Sequence, residues 1–326
     1  MRGNAWGRRA LMGAGAALGL PMAARAQGGG EAWRIIANFP PGGLLDGTAR
    51  LLADRAQREG RTPTVVENRS GAAGAIGAAA AARAAPDGRT VLVSIDTPFT
   101  VNPHLFRDHG FDAVRDLVPV ALLNSFPLAL LVHPSNPARD LAGFLAAARA
   151  QPMFYASAGI GSPGHLAMEY LRQVTGLPAT AFEHVPQRGN TEALTALLAG
   201  TVGAGFLAIG GGPALVREGR LRALAVSGPR RDPALPEVPS VAESGFPAFD
   251  VRIASLLLAP RGTPAAALED WGRLARAMLA DPATAPRFAN WGVQAEDGSA
   301  AAAEAWLHKG RERWGGVVRS AGIQAQ

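Results

Sequence analysis

Short β-rich runs alternate with Ala/Leu-rich stretches of helical period along almost the whole chain, and this alternation most restricts what the chain can fold into. β-Branched and apolar runs predict strands over 33–39, 64–67, 90–95, 128–133, 154–157, 182–185, 202–208, 221–227 and 252–258. Helical spacing predicts helices over 75–85, 140–150, 163–175, 191–199 and 264–279, with another over 299–318. Such alternation builds α/β domains with mostly parallel sheets. Two segments interrupt it: the extended apolar run 119–127, and 230–249, rich in Pro, Gly and charge. A chain that leaves one α/β domain, builds a second and returns crosses between them twice, which creates a cleft and a two-strand hinge. The expected division is a first domain over 27–124 completed by 251–326, and a second over 125–250.

The N-terminus reads as an export signal over residues 1–26. Arg8-Arg9 precede an apolar run over 11–20, and Ala24-Arg25-Ala26 offers a small-x-small cleavage site. That run is too short to span a bilayer. Arg8 to Met12 also resembles a twin-arginine signal, so both export routes are open, and either leads to a periplasmic protein. The chain has no cysteine, which excludes disulfides, thiolate catalysis and Cys-ligated metals. Its formal charge of +6 overstates the basicity of the mature protein. Removing Arg2, Arg8, Arg9 and Arg25 from the 32 basic residues leaves 28 against 26 acidic ones. With no basic block interleaved with aromatics, nucleic acid is not an expected partner.

Two Gly-rich turns carry the candidate site. The first, Phe39-Pro40-Pro41-Gly42-Gly43-Leu44-Leu45-Asp46, joins a strand to a helix whose apolar face is Leu45, Ala49, Leu52 and Ala56. Its glycines let the backbone approach a ligand, and the helix start presents unpaired N–H groups that suit an anion. Taken alone, the segment also fits a plain strand-to-helix connection. The second runs Ser157-Ala158-Gly159-Ile160-Gly161-Ser162-Pro163-Gly164-His165, with Ser162 at an N-cap position and Pro163 at the first helical position. A capped helix explains Ser162 and Pro163 but assigns nothing to Gly159 and Gly161. Elsewhere, Gly71, Gly74 and Gly77 have GxxGxxG spacing, not that of a dinucleotide fingerprint, and read as close helix packing. His165 and Glu169 share a helix face but have no third ligand at motif spacing, so no metal is expected. His184 reads as a strand residue near the cleft, and no GxSxG elbow is present.

These motifs resemble, in order along the mature chain, those of the Bug solute receptors of tripartite tricarboxylate transporters. The resemblance rests on Phe39-Pro-x-Gly-Gly-x-x-Asp46, Val66-Glu67-Asn68-Arg69 with Gly71, Gly74 and Gly77, and Pro86-Asp87-Gly88. Asn102-Pro103-x-Leu105, the Ser157 to His165 loop, and His184-Val185-Pro186 with Gly189 continue it. So do Pro236-x-Val238-Pro239-Ser240 and Ala259-Pro260-x-Gly262-Thr263-Pro264. It implies a fold similar to type II periplasmic binding proteins, with two α/β domains, two crossing strands and one organic anion in the cleft. It further implies that Phe39 to Asp46 forms one wall, with Gly42 and Gly43 offering N–H groups to a carboxylate. Ser157, Gly159, Gly161, Ser162, His165 and Gln187 would then belong to the other wall. Asp46 would order its loop or reach the ligand through water.

This chain departs from the family pattern at Pro41, where Ala is common, and at Gln187-Arg188, where Tyr-Lys is common. It departs again at Ala254-Ser255, where an aromatic is frequent, and at Leu207-Ala208, followed by Gly210-Gly211-Gly212, where an acid is frequent. The implied function is capture of a small carboxylate, without cofactor or chemical step, and delivery to a membrane transporter. Two other readings stay open at this stage. One is a receptor, monomeric like the first, that presents its closed form to a sensor kinase; the other is a secreted α/β hydrolase using Ser157 or Ser162 with His165.

Overall fold

A computed structural model describes residues 32–106, 110–208 and 212–324. The export signal and Gly210-Gly211 lie outside the described residues. The chain begins with β1 (Trp33–Ala37), α1 (Leu44–Arg58), β2 (Thr64–Asn68), α2 (Ala75–Ala82) and β3 (Thr90–Ile95). Two one-turn helices, α3 (Thr97–Thr100) and α4 (Asn102–Leu105), lead to the long β4 (Leu117–Val132). Then come α5 (Leu141–Ala150), β5 (Met153–Ser157), α6 (Pro163–Val174), β6 (Phe182–Pro186), α7 (Asn190–Leu198) and β7 (Ala204–Ala208). The chain continues through α8 (Gly212–Arg217), β8 (Arg222–Val226), β9 (Arg252–Pro260) and α9 (Ala265–Leu279). It closes with α10 (Thr284–Trp291), β10 (Gln294–Ala295) and α11 (Ala300–Ala321).

The strands follow the order β2-β1-β3-β9-β4-β7-β5-β6, with β8 and β10 also paired to β4. β1, β2 and β3 pair in parallel, as do β5, β6 and β7, while β4 and β9 run antiparallel to their neighbours. β4 belongs to both halves. Its residues up to Pro127 pair with β9, and from Leu128 onward it pairs with β7 and β8. The sequence split this strand into a run over 119–127 and a strand over 128–133. Register shifts after Pro119 and Leu122 let the ladder with β9 continue through the first of its two prolines.

The return crossing is tied to β4 by the backbone and hydroxyl of one serine, the Ser227 N–H donating to the Leu128 carbonyl at 2.8 Å and its carbonyl accepting from the Val251 N–H at 2.7 Å. Ser227, fully buried, accepts from the Leu128 N–H at 2.7 Å and donates to the Val251 carbonyl at 2.5 Å. α11 spans the same junction. Its Ala303 and Leu307 pack with Phe99 and Leu258, whereas Trp314, Val317 and Val318 pack with Leu166, Leu171 and Phe249. The glycines over 71–77 do serve packing: a Cβ at Gly77 would come within 2.5 Å of the Asn38 side chain. On the opposite face of the first half, fully buried Trp271 donates to the Gly88 carbonyl at 2.8 Å. Among the described residues no helix is long and apolar enough to cross a membrane.

Candidate functional site

Three strand-to-helix connections converge on one cavity of about 970 Å³. The turn after β1 contributes Phe39, Pro41, Gly43 and the start of α1, and the turn after β5 contributes Ile160, Gly161, Ser162 and the start of α6. The third, Arg188-Gly189-Asn190-Thr191 at the start of α7, was not among the residues expected from sequence. Its signal was present: the Arg188 N–H donates to Glu192 at 3.1 Å, a side chain reaching back over the first turn as in a capping box. The first-turn N–H groups of all three helices have no intrahelical acceptor, and each N-terminus carries partial positive charge. Between the helix starts the wall is apolar, formed largely by Phe39, Leu44, Ile95, Leu105, Phe126 and Phe206. Arg188 is the one charged residue lining the cavity among the described residues. Its guanidinium is exposed and has no ion-pair partner among them.

Several expected site residues lie behind this wall and shape it. Asp46 is buried and accepts from the Gly42 N–H at 3.0 Å and from Arg50 at 2.9 Å. Burial opposes its ionisation, but Arg50, the Gly42 N–H and Asn68 outweigh that and hold the carboxyl below its ordinary range. Gly42, at φ +83°, thus spends its N–H inside its own turn, which corrects the expectation that it offers that group to a ligand. Gly43 has extended backbone at φ −87° and does line the cavity.

The second loop is organised the same way. Fully buried Ser157 has one hydroxyl proton, and the shorter of its two acceptor contacts is His184 Nε2 at 2.7 Å, against 3.0 Å for the Gly159 carbonyl. It accepts from the Gly159 N–H at 3.2 Å and from the Ser162 hydroxyl at 3.1 Å, which fills its remaining capacity. The Gly161 N–H donates to His165 Nδ1 at 3.0 Å. Gly159 and Gly161 therefore use their N–H groups within the loop; of the two, Gly161 lines the cavity. Gln187 bonds the Val185 carbonyl at 3.4 Å and does not line the cavity.

The two imidazoles stack with ring centroids 3.9 Å apart, and Tyr155 stacks on His184 at 4.9 Å. Burial, reinforced by the neighbouring His184, pushes His165 down to about 3, and burial pushes His184 down to about 4. Both rings are neutral at neutral pH, as the acceptor roles of His165 Nδ1 and His184 Nε2 require. The imidazole beside Ser157 is that of His184, so the pairing of Ser157 with His165 considered for a hydrolase is not formed. His184 has no orienting carboxylate among its hydrogen bonds, and Ser157 lies behind the wall.

Fold and cavity together are those of a solute-binding protein of the type II periplasmic class. The family described as tripartite tricarboxylate transporter family receptor matches residues 48–323. Protein BugT of Bordetella pertussis is 33% identical over 294 residues, covering 89% of each chain. An R. palustris protein solved with adipate superposes with a TM-score of 0.77 at 29% identity, covering 90% of this chain and 98% of that one. MatC from Rhodopseudomonas palustris, solved with bound malate, gives 0.72 at 29% identity, with 88% and 98% covered. The chain belongs to this receptor family, the Bug group that its motifs resemble, and is a receptor and not an enzyme.

Proposed function

We propose that the protein is a periplasmic receptor that captures one small carboxylate between its lobes and delivers it to a tripartite tricarboxylate-type transporter. The observation that carries this reading is the convergence of three helix N-termini on one apolar cavity that, among the described residues, no acidic side chain lines. Charge-assisted hydrogen bonds from backbone and hydroxyl donors compensate a carboxylate for lost hydration without a buried cation. Adipate and malate in the two R. palustris structures support the ligand class. The apolar wall favours an acid with a hydrocarbon body over a densely charged tricarboxylate.

In this reading one lobe comprises residues 27–124 with 251–326 and the other 125–250, after cleavage of the export signal near Ala26. β4 and the segment from Ser227 to β9 form the hinge between them. The protein acts as a monomer. A thermal-shift panel of aliphatic, aromatic, di- and tricarboxylates tests the binding step. A ligand at 100 times its Kd stabilises the folded state by about 2.7 kcal/mol. A panel without a single shift would overturn the reading. Loss of uptake of the identified acid on gene deletion tests delivery; loss of gene induction with intact uptake would instead indicate a purely signalling receptor.

A further inference from the structure

Asn102 opens α4 and lies on the cavity wall, yet it is only 2% exposed. Its side-chain amide nitrogen has no hydrogen-bond partner among the described residues. Buried polar groups are nearly always paired, so an orphaned donor at a ligand cavity calls for a partner. Two other polar side chains at the wall are partly spent within the protein. Asn190 accepts from the Ala208 N–H at 3.1 Å, and the Ser162 hydroxyl donates to Ser157.

The backbone that carries Asn102 is held firmly. Pro103 follows it, the His104 ring meets the Arg311 carbonyl at 3.0 Å, and Thr100 packs so closely on α11 that a Cβ at Gly310 would come within 2.6 Å. Across the cavity, Gly161 approaches Leu105 so closely that a Cβ there would overlap it. Asn102 thus sits near the seam where the two lobes meet, on an element separate from the three helix starts.

Resting on the receptor reading above, we propose that Asn102 is a specificity-determining residue. It donates a hydrogen bond to an oxygen on the ligand's body, away from the anchoring carboxylate. The receptor then prefers a hydroxy or oxo acid over the hydrocarbon acid of the same skeleton.

The test is calorimetric titration with matched acids: hexanoate against 6-hydroxyhexanoate, benzoate against 4-hydroxybenzoate, and succinate against malate. Wild-type protein should favour the oxygen-bearing member of at least one pair by about tenfold. Asn102→Ala, or Asn102→Val should the first fold poorly, should bring that ratio to within about twofold. Affinity for the plain acid should hold. An unchanged ratio in the variants, equal loss for both members, or no preference by wild type in any pair it binds would overturn the assignment. If wild type binds none of the acids, the receptor reading itself fails, an outcome distinct from binding without discrimination.

Discussion

Lowering the pH from 7 to 5 should destabilise this protein through the stacked imidazoles of His165 and His184. Their folded values, about 3 and about 4, lie below the ordinary 6.5. The unfolded chain therefore binds protons in this window that the native state refuses. The stability these histidines contribute is fully present above pH 6.5 and is lost as the pH falls toward the folded values. For a folded value well below 5, the loss between pH 7 and 5 is about 1.8 kcal/mol per histidine. The half-buried position of His184 reduces its share to about 1.5 kcal/mol.

Asp96 works in the opposite direction. Burial raises it from 3.8 to about 6 against the Trp306 N–H that bonds it at 2.6 Å. The native state then takes up a proton that the unfolded state does not, and stability rises by about 1.3 kcal/mol over the same interval. The net loss from these three groups is about 2 kcal/mol, which at an m-value of about 2 kcal/mol/M lowers the urea midpoint by about 1 M. His104, also lowered by burial, acts in the same direction. His184→Gln keeps an amide beside Ser157 and should leave a loss of only about 0.5 kcal/mol. Urea unfolding of both proteins at pH 7, 6 and 5 gives the comparison. A level wild-type midpoint, or an undiminished drop in His184→Gln, would refute the reasoning.

Three substitutions probe the wall and its support. At Gly43 an added Cβ meets only the Pro40 carbonyl, at 3.7 Å, so Gly43→Leu should change stability by about 0.5 kcal/mol or less while carboxylate affinity falls at least about tenfold, read by chemical unfolding and calorimetry. Asp46→Ala removes the acceptor of the Gly42 N–H and of Arg50; unfolding free energy should fall by about 1–2 kcal/mol, and binding should weaken as the turn loosens. Gly164→Ala would press a Cβ into the Phe206 carbonyl and displace α6 from β7, costing about 1–3 kcal/mol; an unchanged melting temperature would show that the contact yields.

What could be read from the sequence divides along a physical line. Strand–helix alternation and the two Gly-rich turns depend on neighbours within a few residues, and both appear where the sequence placed them. The direction of individual N–H groups depends on tertiary partners. Asp46 was expected to order its loop or reach the ligand through water, but not to take the Gly42 N–H. The return of His165 to the Gly161 N–H was not expected at all, although each acceptor lies only four residues on. Nor does the pattern around Ser157 reveal that the imidazole reaching it comes from β6, 27 residues away. The start of α7 was within reach of a capping argument, since Glu192 follows Arg188 by four residues. Asn102 was not: its family motif was visible, but only the packing of α3 and α4 under α11 brings it to the wall with its amide nitrogen unpartnered among the described residues. Gly42 and Gly161 therefore matter less as direct donors than as the positions that let two turns fold back on Asp46 and His165. That folding-back aims the starts of α1 and α6 at the same cavity, so the proposed anion site rests on the helix starts, Gly43 included, and not on the N–H groups of Gly42, Gly159 and Gly161.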